Sequence, residues 1–115
     1  MCGIFGIYNH IEAANLTYLG LHGLQHRGQE GSGIVSSDGS KLYSKKGMGL
    51  VSEIFKDDNF SRLKGMSAVG HNRYSTCGDS IIENVQPVVV NFAMGSLALA
   101  HNGNLVNASF LRREL

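Results

Sequence analysis

The sequence predicts an α+β layered fold, and three observations carry that expectation. Short β-prone runs bounded by turn residues recur along the chain. Helix-like runs lie after the first of them and again at the end, giving the order strand, helix, strands, strands, helix, the order of a sheet covered by helices. Fifteen glycines in 115 residues, about 13% against a usual ~7%, accompany a single proline. They follow no period, which excludes collagen, and they predict tight turns and close backbone approaches.

Taken in order, residues 4–8 (Ile-Phe-Gly-Ile-Tyr) are apolar and β-prone and read as a buried strand. Residues 13–25 carry Leu16, Leu19 and Leu24 at helix-like spacing, with Gly20 and Gly23 permitting close packing at about 1 kcal/mol each in helix propensity. Residues 32–36 and 41–44 flank Ser37-Asp38-Gly39-Ser40, a strong hairpin signal. Residues 50–55 and 60–63 suggest one or two helical turns, and residues 67–71 another strand. Residues 88–92 and 96–101 form a second expected hairpin, turning near Ala93-Met94-Gly95. Residues 107–115 read as a helix start with Asn107 as its N-cap. That helix runs to Leu115 without a stop signal, so the chain is expected to be the first part of a longer protein.

Composition narrows the function. Hydrophobic residues are 43% and charged residues 17%, values of a globular chain rather than a disordered one. Ten Lys and Arg against nine Asp and Glu leave a net charge of +1, which argues against a nucleic-acid footprint. Two cysteines exclude a disulfide-dense scaffold, and no CxxC or zinc-finger spacing occurs. The five histidines show no ligand spacing, so no metal is expected in this chain. The longest apolar stretch, residues 88–100, is broken by Asn91 and Ser96 and is too short to span a membrane, and no secretory signal opens the chain. The expected location is therefore cytoplasmic.

Four places could carry chemistry. Cys2 follows Met1 directly, so loss of Met1 would put a thiol nucleophile and a free α-amine in one residue; the amine can take the thiol proton, directly or through water. The plainer reading of Cys2 is a small apolar residue at the head of a buried strand. His26-Arg27-Gly28-Gln29-Glu30-Gly31-Ser32-Gly33 is either an ordinary helix end, with Arg27 favoured by the helix dipole, or a tight loop presenting Arg27 near the sheet end. His71-Asn72-Arg73-Tyr74-Ser75-Thr76 follows the predicted strand; Arg73 has the planar fork that binds a carboxylate bidentately, and Tyr74, Ser75 and Thr76 add hydroxyls, unless Arg73 is merely a surface ion pair. His101-Asn102-Gly103-Asn104 is a hairpin turn or, since helix rather than strand follows, an oxyanion site built from the Asn102 amide and the Gly103 N–H. Cys77 reads most simply as a packed or half-buried loop thiol.

Together and in this order the motifs are specific. Met1-Cys2-Gly3-Ile4-Phe5-Gly6-Ile7, followed by His71 to Thr76 and by His101-Asn102-Gly103-Asn104-Leu105, resembles the class II glutamine amidotransferases, which are N-terminal nucleophile hydrolases. Within that family, Gly23-Leu24-Gln25-His26-Arg27-Gly28-Gln29-Glu30-Gly31-Ser32-Gly33-Ile34 looks most like the members that make phosphoribosylamine from glutamine and phosphoribosyl pyrophosphate, opening purine synthesis. The resemblance implies a four-layer αββα sandwich, incomplete here, with residues 1–115 the N-terminal portion of a glutaminase domain and the phosphoribosyltransferase domain absent. It implies catalytic roles for Cys2 (nucleophile), Asn102 and Gly103 (oxyanion donors). Arg73 would hold the glutamine α-carboxylate with Tyr74 and Thr76 nearby, in a loop from Arg73 to about Asn84 that closes over glutamine, and Arg27 would support the nucleophile. An acidic residue for the α-ammonium would lie past Leu115, so this chain alone is expected to be inactive.

The implied partners are glutamine, phosphoribosyl pyrophosphate at the missing domain, and further copies of the full-length chain; no cofactor is expected in this part, and magnesium at the missing domain. The nearest rivals are the glutaminase domains of glucosamine-phosphate synthase and asparagine synthetase, against which Gln29 argues, since those enzymes usually carry Tyr or Pro near that place. A non-catalytic glutamine-binding module is the rival of another class, and Cys2 directly after Met1, which binding does not require, argues against it.

Overall fold

The computed structural model describes residues 1–56, 60–75 and 79–115. Its elements are β1 (Gly3–Ile7), α1 (Ala13–Gly23), a 3₁₀ turn (Gln25–Arg27), β2 (Gly31–Ser37), β3 (Leu42–Met48), α2 (Val51–Ile54), β4 (Ser67–Arg73), a second 3₁₀ turn (Ile82–Asn84), β5 (Val88–Phe92), β6 (Gly95–Leu99) and α3 (Ala108–Glu114). Four strands form an antiparallel sheet in the order β1-β4-β2-β3, and β5 and β6 form a separate two-stranded sheet. The mixed α+β class and both hairpins are as the sequence predicts.

The pleat assigns opposite jobs to the two faces of β4. Ala68, Gly70 and Asn72 face α1, while Val69, His71 and Arg73 face away. Gly70 lies opposite both Phe5 of β1 and Ile34 of β2. A Cβ at Gly70 would come 2.7 Å from Leu21 Cδ1 and Thr17 Cγ2, and one at Gly20 would collide with the Phe5 ring. Glycine on both sides therefore lets α1 lie close on the sheet. The helix accordingly buries Ala13, Ala14, Thr17 and Leu21, the first, third and fourth of which recur at i, i+4 and i+8. This differs from the expected Leu16, Leu19 and Leu24 stripe: Leu19 is 54% exposed. At so short a separation small residues fit, and the larger leucines turn to the flanks.

Under α1 the core joins Leu21, Ile34, Val51, Phe55, Leu63 and Ala68, with Phe5, Ile7, Tyr18 and Phe60 packed at its edge. Tyr18 stacks obliquely on Phe55 and Phe60, with ring centroids 6.1 and 5.4 Å apart. On the opposite face, Ser96, Leu97 and Ala98 of β6 lie over Val35, Leu42 and Val69 around a cleft of about 300 Å³.

Several sequence expectations are corrected. Residues 60–63 make one turn, Leu63 N–H donating to Phe60 O at 3.1 Å, but no helix, and Phe60 itself has left-handed backbone at φ 59°. Asn107 precedes α3 but makes no side-chain cap. Strand β4 runs two residues beyond its expected end, since Asn72 pairs with Gly3 and Ser32, and Arg73 with Gly31. Asn72 and Arg73 are thus strand residues rather than loop. β6 stops at Leu99, which leaves His101 outside it.

Candidate active site

Three chain segments converge at one end of the sheet. Cys2 enters at the head of β1, Arg73 and Tyr74 leave at the end of β4, and residues 101–104 follow β6. Met1, Cys2, Arg73, Tyr74, Gln86, His101, Asn102, Gly103 and Asn104 line a cleft of about 340 Å³. The antiparallel register that pairs Gly3 with Asn72 is what brings the start of β1 beside the end of β4.

Cys2 is half-buried and makes polar contacts with Asn102, Tyr74 and Arg27. Its backbone N–H donates to Asn102 Oδ1 at 3.3 Å, and its Sγ lies 3.6 Å from the Tyr74 carbonyl oxygen. Arg27 Nε donates to the Cys2 carbonyl at 2.9 Å. Arg27 reaches it as the last residue of the first 3₁₀ turn, which continues the end of α1. Gly28 makes the approach possible: a Cβ there would fall 2.6 Å from the Arg73 carbonyl carbon and oxygen.

Arg73 is only 8% exposed, which excludes the surface ion-pair reading. Its Nη1 and Nη2 donate to the carbonyls of Asn84 and Asp79 at 3.2 and 3.3 Å, and its Nε lies 4.0 Å from Glu30 Oε2. Glu30 in turn accepts from Ser75 N–H at 3.1 Å and Ser80 Oγ at 2.8 Å. The Ser75 N–H, then the Ser80 hydroxyl, with a smaller contribution from Arg73, hold the Glu30 carboxyl below the usual carboxylate range. Tyr74 is half-exposed beside the cleft. Thr76 and Cys77, singled out from the sequence, lie outside the described residues.

Behind the cleft, a buried polar strut joins three elements. Ser32 Oγ donates to Asn72 Oδ1 at 2.8 Å, and Asn72 Nδ2 donates to the Leu21 carbonyl at 2.8 Å, tying β2 and β4 to the end of α1. On the other face of β4, fully buried His71 lies 3.2 Å through Nε2 from the His101 carbonyl. Burial pushes His71 down to about 4; the Arg73 and His101 charges add to this and the His101 carbonyl opposes it. Gly103 sits at φ 147°, with the His101 ring 3.3 Å from where a Cβ would stand. No returning strand follows it; the chain turns into α3, against the hairpin reading.

The cleft therefore unites Cys2, Arg73, Tyr74, Asn102 and Gly103, with Arg27 behind Cys2. Sequence reasoning missed Glu30 and Gln86, and assigned no task to His71. Glu30 lay inside a motif already singled out, but its partners are 45 and 50 residues away. Gln86 carried no signal beyond preceding the single proline. Among the described residues no group of three or more His, Cys, Asp or Glu could hold a metal ion, and no helix is long and apolar enough to cross a membrane.

No family model matches the chain. It is 56% identical over 115 residues to the amidophosphoribosyltransferases of Staphylococcus aureus (strain MRSA252) and Bacillus subtilis (strain 168), covering 99% of this chain and 23% and 24% of those proteins. Two solved structures superpose on 99% of the chain. One, described as the allosteric regulatory enzyme of purine biosynthesis, gives a TM-score of 0.90 at 54% identity. The other, glutamine phosphoribosylpyrophosphate amidotransferase from B. subtilis complexed with ADP and GMP, gives 0.87 at 53%. The class these define is the amidotransferases. The curated relatives are amidophosphoribosyltransferases, and this chain is homologous to the N-terminal region of that enzyme, spanning about a quarter of their length.

Proposed function

We propose that this chain forms the first part of a glutaminase domain, within the four-layer sandwich of the N-terminal nucleophile hydrolases, and that Cys2 hydrolyses glutamine there. The observation that carries the reading is the convergence of Cys2, Asn102, Gly103 and Arg73 on one cleft, with Cys2 N 3.3 Å from Asn102 Oδ1.

Loss of Met1 turns that nitrogen into the α-amine of Cys2. The amine takes the thiol proton, and the thiolate attacks the glutamine amide carbon. The carbonyl oxygen becomes an oxyanion between the Asn102 side-chain NH₂ and the Gly103 N–H. The α-ammonium returns its proton to the leaving nitrogen; the C–N bond breaks, ammonia departs and a glutamyl thioester remains. Water, deprotonated by the same amine, attacks the thioester. Glutamate leaves and the thiol is restored. Arg73 holds the α-carboxylate, with Tyr74 beside it. Arg27 fixes the Cys2 carbonyl, so the nucleophile cannot drift from the donors.

In the whole protein the ammonia passes to a phosphoribosyltransferase domain and replaces the pyrophosphate of phosphoribosyl pyrophosphate, giving phosphoribosylamine for purine synthesis. Magnesium would accompany the pyrophosphate there. The whole protein is a cytoplasmic homo-oligomer in this reading. The test is Cys2→Ala in the full-length protein. Glutamine-dependent phosphoribosylamine formation should vanish and ammonia-dependent formation should persist; retained use of glutamine would overturn the assignment.

A further inference from the structure

Within these 115 residues, the segment that carries the proposed oxyanion donors is tied to its neighbours by polar contacts. His101, Asn102, Gly103 and Asn104 are all exposed. Yet a transition-state donor must stand within tenths of an ångström of its place. Two polar tethers on this segment meet at one residue. The His101 carbonyl faces His71 Nε2 at 3.2 Å, and the His101 N–H donates to Gln86 Oε1 at 2.6 Å. Both peptide planes flanking the His101 Cα are thereby pinned. One of these planes contains the Asn102 N–H, so pinning it orients the Asn102 side chain and the Gly103 amide that follow.

The chemistry of His71 points the same way. A carbonyl only accepts, so Nε2 must carry the proton and donate. Nδ1 is then a bare acceptor, and it is buried with no hydrogen-bond partner. Interiors rarely keep an orphan polar atom, and an apolar side chain in this place would remove it. A histidine here has one asset an apolar residue lacks, which is the N–H directed at His101. Gln86, which lines the cleft, contributes the complementary acceptor 15 residues from its target, while His71 is 30 residues away in β4.

We infer that His71 and Gln86 are positioning residues for glutamine hydrolysis, a pair that clamps His101 from both sides and so aims the Asn102–Gly103 oxyanion donors. The inference rests on the glutaminase reading above. It predicts a loss confined to the step in which the oxyanion forms, and repair by any side chain that restores the single hydrogen bond.

The experiment uses the full-length protein and steady-state glutaminase kinetics. His71→Leu removes the donor and Gln86→Leu removes the acceptor. Each should lower kcat by roughly 10- to 100-fold with little change in the glutamine KM. His71→Gln, which can return a donor near the Nε2 position, and Gln86→Glu, which keeps the acceptor, should recover most of that loss. Because the clamp acts through Asn102 and Gly103, Gln86→Leu combined with Asn102→Ala should cost far less than the product of the two single losses. If Asn102→Ala lowers kcat but folded Gln86→Leu keeps full kcat, the clamp is refuted while the glutaminase reading stands. Losses that multiply in full, or that appear in KM alone, also refute it. If Asn102→Ala itself leaves kcat unchanged, the oxyanion reading fails and the clamp falls with it. Should His71→Leu not fold, the Gln86 pair and the double variant decide the matter.

Discussion

Gly28→Ala tests how tightly the cleft is built. The added methyl carbon would stand 2.6 Å from Arg73 C and O and 2.9 Å from Asn72 O, about 0.8 Å short of ordinary contact with the nearest. All three atoms are backbone of β4, the strand held between β1 and β2, so no side chain can rotate to make room. The loop cannot swing out freely either. The Gly28 carbonyl accepts from Gln25 Nε2, whose Oε1 accepts from Val51 N–H at 2.7 Å, which anchors the turn to α2. Overpacking of this kind costs about 1–3 kcal/mol. The displaced atoms belong to the cleft as well: Arg27 next door holds the Cys2 carbonyl, and Glu30 N–H donates to the Arg73 carbonyl at 3.2 Å. A shift of nearly an ångström should lower glutamine-dependent activity roughly 10- to 100-fold. Ammonia-dependent synthesis should be untouched. Urea unfolding and both activities, measured on one preparation of the full-length protein, give the answer. Wild-type stability together with wild-type glutamine use would refute the close-approach argument.

Three further outcomes follow from the geometry. Arg73→Lys keeps the charge but loses the fork that spans the Asn84 and Asp79 carbonyls, so glutamine KM should rise more than kcat falls, as steady-state kinetics will reveal. Ser32→Ala leaves buried Asn72 Oδ1 without its donor and should cost about 1–3 kcal/mol, read from the urea midpoint. His71 titrates near 6.5 in an unfolded chain but is pushed down to about 4 when folded, so only the unfolded state gains a proton between those values. Stability should therefore fall as pH drops from about 6.5 to about 4, by up to about 3 kcal/mol, and this component should level off below. Comparison of urea midpoints for wild type and His71→Gln across that window isolates the effect, and parallel profiles would contradict it.

Local patterns were enough to expose much of the fold. Asp38-Gly39 between β-prone runs marks the β2–β3 hairpin, and Ala93-Met94-Gly95 marks the β5–β6 turn, because a tight turn demands its own residues within a few positions. Cys2, Arg73, Asn102 and Gly103, which line one cleft, could be singled out for a related reason: a thiol, a planar cation and a pair of donors are visible as residue types before any contact is known. The face that α1 buries was not legible. The leucines suggested one stripe, and the glycines at positions 20 and 70 imposed another by shortening the distance across which side chains must fit.

The sequence by itself determined the element order, the hairpins and which residue types could perform amide chemistry, since these depend on neighbours along the chain. Only the tertiary structure decided that Cys2 lies beside Asn102, a hundred residues away, and that Arg27 grips the Cys2 carbonyl. It also brought Glu30 to Arg73, and His71 and Gln86 to His101. Their partners are brought near by the antiparallel register of β1, β4 and β2 and by the segments that leave those strands. Register is a collective property of paired strands, set by the alternation of buried faces, and no single residue in it announces its partner.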